Sequence, residues 1–225
     1  MTAVGEWRST RNSATWPEPP DGDGRAALLI PGFMAGDPSL SRMARWLKSG
    51  GYVPTRSGVL WNVDCTETVV RAVEARLELA VERSGGPALV VGQSRGGSIG
   101  RVLAVRRPEL VDTLVTLGSP VLDQMAIKPQ QWLLTGAVGI LGTLGVPGLF
   151  SFRCVRGECC ARVREEIAAP FPTDVRYLAF YSRRDEVVSW RACLDPAAAH
   201  VEVPSTHVGM GIDARVWERL TEELS

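Results

Sequence analysis

ALVVGQSRGGSIG, residues 88–100, is the stretch from which the rest of the chain can be read. Its first four residues form an uninterrupted apolar run, as expected of a strand buried on both faces. The run breaks at Gly92, and a helical pattern starts near Gly96 and ends before Pro108. Between strand and helix stands Ser94, with a glycine two residues away on each side. A serine on so sharp a turn holds a strained backbone, and its neighbours two positions away collide unless they lack side chains. The helix start that follows places a positive dipole beside the serine. This is the arrangement of a nucleophile elbow, which makes Ser94 the candidate nucleophile. The plainer alternative is a glycine-rich turn that binds phosphate or merely packs tightly.

Working outward, apolar strands alternate with amphipathic helices. Ala26 to Ile30 reads as a buried strand that stops at Pro31-Gly32. Asp37-Pro38 reads as a helix start with Asp37 as cap, running to about Ser49 and ending at Gly50-Gly51. A short strand follows near Tyr52. Asp64 and Glu67 have capping-box spacing and open a helix with Val70, Val73, Leu77 and Val81 on one face. Further strands are expected at Thr113–Leu117, about Val175–Tyr181 and His200–Val203, and a last helix at Asp213–Leu224. Such alternation implies an α/β fold, a mostly parallel sheet with helices on both faces. Ligands of such sheets lie beyond the carboxyl ends of the strands. Residues 1–24, rich in Pro, Gly, Asp and Ser, read as an N-terminal arm with Trp7 and Trp16 as anchors, and 25–225 as one domain.

At 225 residues, with 45% hydrophobic and 22% charged residues, the chain can bury a full core without staples. Acidic and basic residues balance at 25 each, with no basic stripe, so a nucleic-acid partner is not expected. The first residues lack the apolar stretch of a secretory signal, so the expected location is the cytoplasm. A reducing compartment would keep Cys65, Cys154, Cys159, Cys160 and Cys193 as thiols, whereas export would favour a bridge. The spacing Cys154-x4-Cys159-Cys160 does not match a zinc pair and would need further ligands. No dinucleotide fingerprint follows the first strand, and no metal-ligand cluster is visible. No cofactor and no metal are expected, and a cofactor-dependent oxidoreductase is disfavoured.

A nucleophilic serine needs a base. His207 lies in the loop PSTHVG at the carboxyl end of the strand HVEV, while His200 begins that strand and belongs to the opposite edge of the sheet. His207 is therefore the candidate general base. Asp185, just past the strand VRYLAFY, is the candidate for fixing the imidazole tautomer, with Glu186 and Asp195 as competitors. The chain order Ser, Asp, His is then that of a hydrolase. An oxyanion needs two backbone N–H donors. Arg95 would supply one, and the loop Pro31-Gly32-Phe33-Met34 the other, from Phe33 first and Met34 second.

With these residues in view, the chain resembles the bacterial lipase and esterase branch of the α/β-hydrolase family. The resemblance rests on PGF at 31–33, GQSRGG at 92–97, LGSP at 117–120, Asp185 and His207, and covers the chain from about Ala26 onward. It implies a sheet of about six to eight strands with a lid or cap insertion, here about 121–172. Two residues depart from the family pattern. Pro31-Gly32 stands where lipases usually carry His-Gly, and Arg95 replaces a more usual apolar or His residue. Neither removes a catalytic group, and both bear on the substrate.

Within the insertion, WLLTGAVGILGTLGVPGLF (132–150) carries no charge. Its glycines and Pro147 argue against a membrane span. It reads either as a buried helical pair or as an apolar lid, with Met34, Trp132 and Leu133 as candidate substrate contacts. Three functions stay open at this point. One is a carboxylesterase or lipase acting on a small-molecule or lipid acyl substrate, with transient contact to a lipid surface. The second is a thioesterase or acyltransferase sharing the same acyl-enzyme. The third is a non-catalytic binding protein on the same fold.

Overall fold

The computed structural model describes residues 12–225 together with Gly5. The proposed anchor Trp7 lies outside the described residues. Six strands form one sheet: β1 (Ala26–Ile30), β2 (Val53–Arg56), β3 (Ala88–Gln93), β4 (Val111–Leu117), β5 (Arg176–Tyr181) and β6 (Ala199–Glu202). Their order is β2-β1-β3-β4-β5-β6, and every neighbouring pair is parallel. Among residues 12–225, seven α-helices accompany them: α1 (Ser41–Ser49), α2 (Thr66–Ser84), α3 (Arg95–Arg106), α4 (Pro129–Thr143), α5 (Phe152–Arg156), α6 (Glu158–Ala168) and α7 (Ala214–Leu224).

Alternate residues of a strand face opposite sides, so the central strands divide their apolar residues between two cores. Leu28, Ile30, Val90, Leu114 and Ala179 pack against Val73 and Leu77 of α2, Ile99 and Leu103 of α3 and Val163 of α6. Leu29, Val91, Val115 and Phe180 pack on the other side against Met43 and Trp46 of α1 and Val216 and Trp217 of α7. Trp46 stacks on Trp217 with ring centroids 5.1 Å apart. Trp16 meets Trp217 edge-on at 5.5 Å, and Trp46 Nε1 donates to the Pro17 carbonyl. The expected anchoring by Trp16 is thus present, through a tryptophan cluster on the α1/α7 face.

Two expected helix caps are corrected. Asp37 starts a short 3-10 turn (Asp37–Leu40) ahead of α1 instead of capping it. Its carboxylate is taken by Ser57 N, Ser57 Oγ and Gly58 N, donors from a turn distant in sequence. The Asp64/Glu67 capping box is absent as well. Cys65 is the N-cap of α2, Asp64 accepts from Cys65 N, and Glu67 turns to Arg71 and Arg106. Burial raises the Glu67 carboxyl, and these two guanidinium partners outweigh it and leave the group below its ordinary value.

The insertion between β4 and β5 consists of α4, α5 and α6. Two arginines of α3 fasten its end. Arg106 bridges Glu67 and Glu74 of α2 to Glu166 of α6. Arg101 pairs with Asp195 at 2.6 Å and donates to the carbonyls of Glu166, Ile167 and Ala169 at the end of α6. Both members of the Arg101–Asp195 pair are buried. Removing one partner of such a pair leaves an uncompensated charge, so Arg101→Ala should lower unfolding stability by about 3–5 kcal/mol. The double replacement Arg101→Met with Asp195→Leu should recover most of that loss in urea titrations. A single-variant loss below about 1 kcal/mol would show that the site relaxes to readmit water.

The cysteines also depart from expectation. Cys65 and Cys154 are paired as a disulfide, 89 positions apart, while Cys159, Cys160 and Cys193 remain free. Folding, not local spacing, brings the start of α2 against α5. Among the described residues, no helix is long and apolar enough to cross a membrane. The apolar insertion helix α4 spans only 15 residues and leaves much of its surface in solvent, with Leu133 at 78% and Leu144 at 77% exposure. It is not the buried helical pair that its composition allowed.

Candidate active site

β3 runs straight into α3 through Ser94, whose φ of 52° and ψ of −124° are strained for any residue with a side chain. The flanking glycines follow from this turn. An added Cβ at Gly92 would run into the backbone of Gly96 and Gly97, and one at Gly96 into the carbonyls of Ile30 and Pro31. The turn is pinned by Ser94 N donating to the Leu117 carbonyl at 2.8 Å and Gly97 N to the Ser94 carbonyl at 2.9 Å.

His207 and Asp185 sit past the carboxyl ends of β6 and β5 and are both buried. His207 Nδ1 and Asp185 Oδ2 are 2.6 Å apart. The other carboxylate oxygen, Oδ1, accepts from Val187 N at 2.8 Å and Val188 N at 2.7 Å, which fixes the carboxylate plane. Glu186 accepts from the backbone N of His207, and Gln93, beside the serine, donates through Nε2 to the His207 carbonyl. Gly118, with φ of 59°, leaves the room this pair needs: an added Cβ would lie 3.1 Å from Asp185 Oδ2 and 3.2 Å from His207 Nδ1. Among the described residues no hydrogen bond joins Ser94 Oγ to His207. Resting active sites commonly tighten only when substrate enters.

The competitors are engaged elsewhere. Asp195 is held by Arg101, and His200 Nε2 contacts the Asp195 carbonyl at 2.7 Å. Glu186 holds the histidine backbone and not its ring.

Beside Ser94, Gly32 brings the β1 loop so close that an added Cβ would lie 3.2 Å from Ser94 Cβ. The N–H groups of Phe33 and Arg95 make no hydrogen bond among the described residues, whereas that of Met34 is directed to the Asn62 carbonyl at 3.4 Å. Of the two N–H groups weighed from sequence, that of Met34 is engaged and that of Phe33 is not, among the described residues. The Arg95 side chain turns away from the serine. It donates to the carbonyls of Asn62 and Asp64 and to Thr66 Oγ1, and Asn62 in turn donates to the Pro31 carbonyl. Burial pushes this guanidinium down to about 10. Asn62 therefore links Arg95 to the loop carrying Phe33, a role with no sequence signal, since nothing marks an asparagine between two elements.

The insertion touches this site at two places. Lys128 Nζ donates to the Asp185 carbonyl at 2.8 Å, and Ile127 bridges to Val188. Phe33 packs against Val138 of α4 and Phe150, with the two phenyl rings 6.4 Å apart. Met34 is partly exposed at the serine loop, and Trp132 and Leu133 are exposed on the first turns of α4.

No family model matches the sequence, and no curated protein does. Solved structures do match. The mature form of the Bacillus licheniformis lipase BlEst2 superposes with a TM-score of 0.66 at 12% identity, over 92% of this chain and 94% of that one. A structure of the metagenome-derived lipolytic enzymes LipS and LipT gives 0.65 at 15% identity, over 93% and 98%. The thioesterase domain from the curacin biosynthetic pathway gives 0.56 at 13% identity, over 91% and 92%. These identities speak for architecture alone. With six parallel strands, the serine turn after β3 and end-to-end overlap with these structures, the chain has the α/β-hydrolase fold.

Proposed function

We propose that the protein is a serine hydrolase that cleaves a carboxylic ester through an acyl-enzyme on Ser94. One observation carries this reading: a strained serine turn shares the carboxyl edge of the sheet with a buried His207–Asp185 pair 2.6 Å apart. In this mechanism Ser94 Oγ attacks the ester carbonyl and passes its proton to His207 Nε2. Asp185 keeps the proton of the resting imidazole on Nδ1 and stabilises the imidazolium. The N–H groups of Phe33 and Arg95 receive the oxyanion. His207 then returns its proton to the departing alkoxide, leaving the acyl group on Ser94. Water repeats the sequence with His207 as base and frees the acid. No step calls for a cofactor.

Lipases and lipolytic enzymes among the structural neighbours support the ester reading. The thioesterase domain among them supports a second, in which the leaving group is a thiolate and the acyl-enzyme is the same. The test is labelling with a fluorophosphonate followed by intact-mass analysis. One adduct on Ser94, absent in Ser94→Ala, is expected; no adduct, even with detergent present, would return the chain to the binding-protein reading.

The same proposal makes the insertion a lid. Its apolar helix α4 is exposed, and Phe150 behind it packs on Phe33, so Met34, Trp132 and Leu133 would meet the acyl chain. Each methylene they bury should add about 0.8 kcal/mol, roughly a fourfold gain in kcat/KM per added carbon until the surface is filled. A series of p-nitrophenyl esters measures this. A profile that is flat or highest for acetate would refute the acyl-chain role of these residues and leave the serine chemistry intact.

A further inference from the structure

We infer that Cys65, Cys154, Cys159 and Cys160 form a structural zinc site that fastens the insertion to the start of α2. Their four Sγ atoms lie within 4.8 Å of one another. Cys65–Cys159 is 3.8 Å, Cys65–Cys160 3.6 Å, Cys154–Cys159 3.3 Å, Cys154–Cys160 3.5 Å and Cys159–Cys160 4.0 Å. Four sulfurs around one zinc at about 2.3 Å stand about 3.8 Å apart, the edge of a tetrahedron. A bridge between Cys65 and Cys154 needs two cysteines, yet the first turn of α6 brings two more against both sulfurs.

The surroundings suit a cluster of four thiolates and one divalent cation, which carries two negative charges. Arg95 is half-buried and forms no salt bridge among the described residues, since its three acceptors are two carbonyls and a hydroxyl. It lies within electrostatic reach of Cys160 and of Asp64. The N-terminus of α2, whose N-cap is Cys65 itself, adds a second positive element. Zinc displaces four protons from four thiols, and the cluster forms only in the reduced chain. The Cys65–Cys154 disulfide occupies two of the four donors, so a thiol or phosphine reductant must first return both to thiols by a two-electron reduction. With four protein ligands the site is closed and leaves no position for substrate. It holds α5 and the root of α6 beside Arg95, the residue that follows Ser94. The local spacing argued against zinc only because the fourth ligand, Cys65, comes from another element.

The full chain would be produced with zinc in the medium, purified under a phosphine reductant and assayed for metal by elemental analysis. One zinc per chain is expected, retained in Cys193→Ala and lost in Cys159→Ala, whose side chain is exposed and whose removal opens no core cavity. Exchange for cobalt should give the intense ligand-field bands and thiolate charge-transfer absorption of a four-coordinate sulfur site. A melting curve for each variant separates loss of metal from loss of fold. Reduced protein with no bound zinc, a weak octahedral cobalt spectrum, or Cys159→Ala that keeps its metal would each overturn the assignment.

Discussion

Ser94→Ala is expected to lower kcat by about five to six orders of magnitude, while KM and the unfolding midpoint stay close to those of the parent. Without the hydroxyl no acyl-enzyme can form, and the residual rate comes from the oxyanion donors and the held substrate alone. Those donors survive, because the N–H groups of Phe33 and Arg95 belong to the backbone. The fold should survive too. Alanine keeps a Cβ at the same φ of 52°, so the strain of the turn is unchanged, and the contacts of Gly92 and Gly96 are untouched. A variant retaining more than about 1% of the parental kcat would mean that another nucleophile carries the reaction.

Asp185→Asn should cost about four orders of magnitude in kcat. The size follows from how tightly the carboxylate is held. Oδ1 is committed to the N–H groups of Val187 and Val188, so an asparagine would place its carbonyl oxygen there and turn its NH2 toward His207 Nδ1. An NH2 can only donate. The imidazole must then carry its proton on Nε2, the nitrogen that has to accept the serine proton. The opposite amide orientation sets donor against two donors. Steady-state kinetics measures the loss, and imidazole nitrogen chemical shifts read the tautomer directly. A loss below about tenfold would transfer the orienting role to another carboxylate, with Glu186 the first to test.

Much of this site can be read from one dimension because each residue sits where a strand ends. The apolar run before Ser94, the two glycines it requires, and the loops after β5 and β6 are local patterns imposed by local sterics. The caps are not legible locally because Asp37 and Glu67 find stronger partners far along the chain, in the Ser57 turn and in Arg106. The same limit applies to the cysteines and to Arg95. Their partners come from elements separated by tens of residues, and no periodicity encodes such meetings. Exposure of α4 was likewise invisible, since an uncharged run looks alike in a core and on a surface.

The backbone of Ser94 has a consequence for any attempt to improve this protein. The only residue at ease with its dihedral angles is glycine, which has no nucleophile. Heat resistance and turnover therefore pull in opposite directions at this one codon. A library screened for thermal survival alone would enrich inert variants here, so selection has to demand product formation in every round.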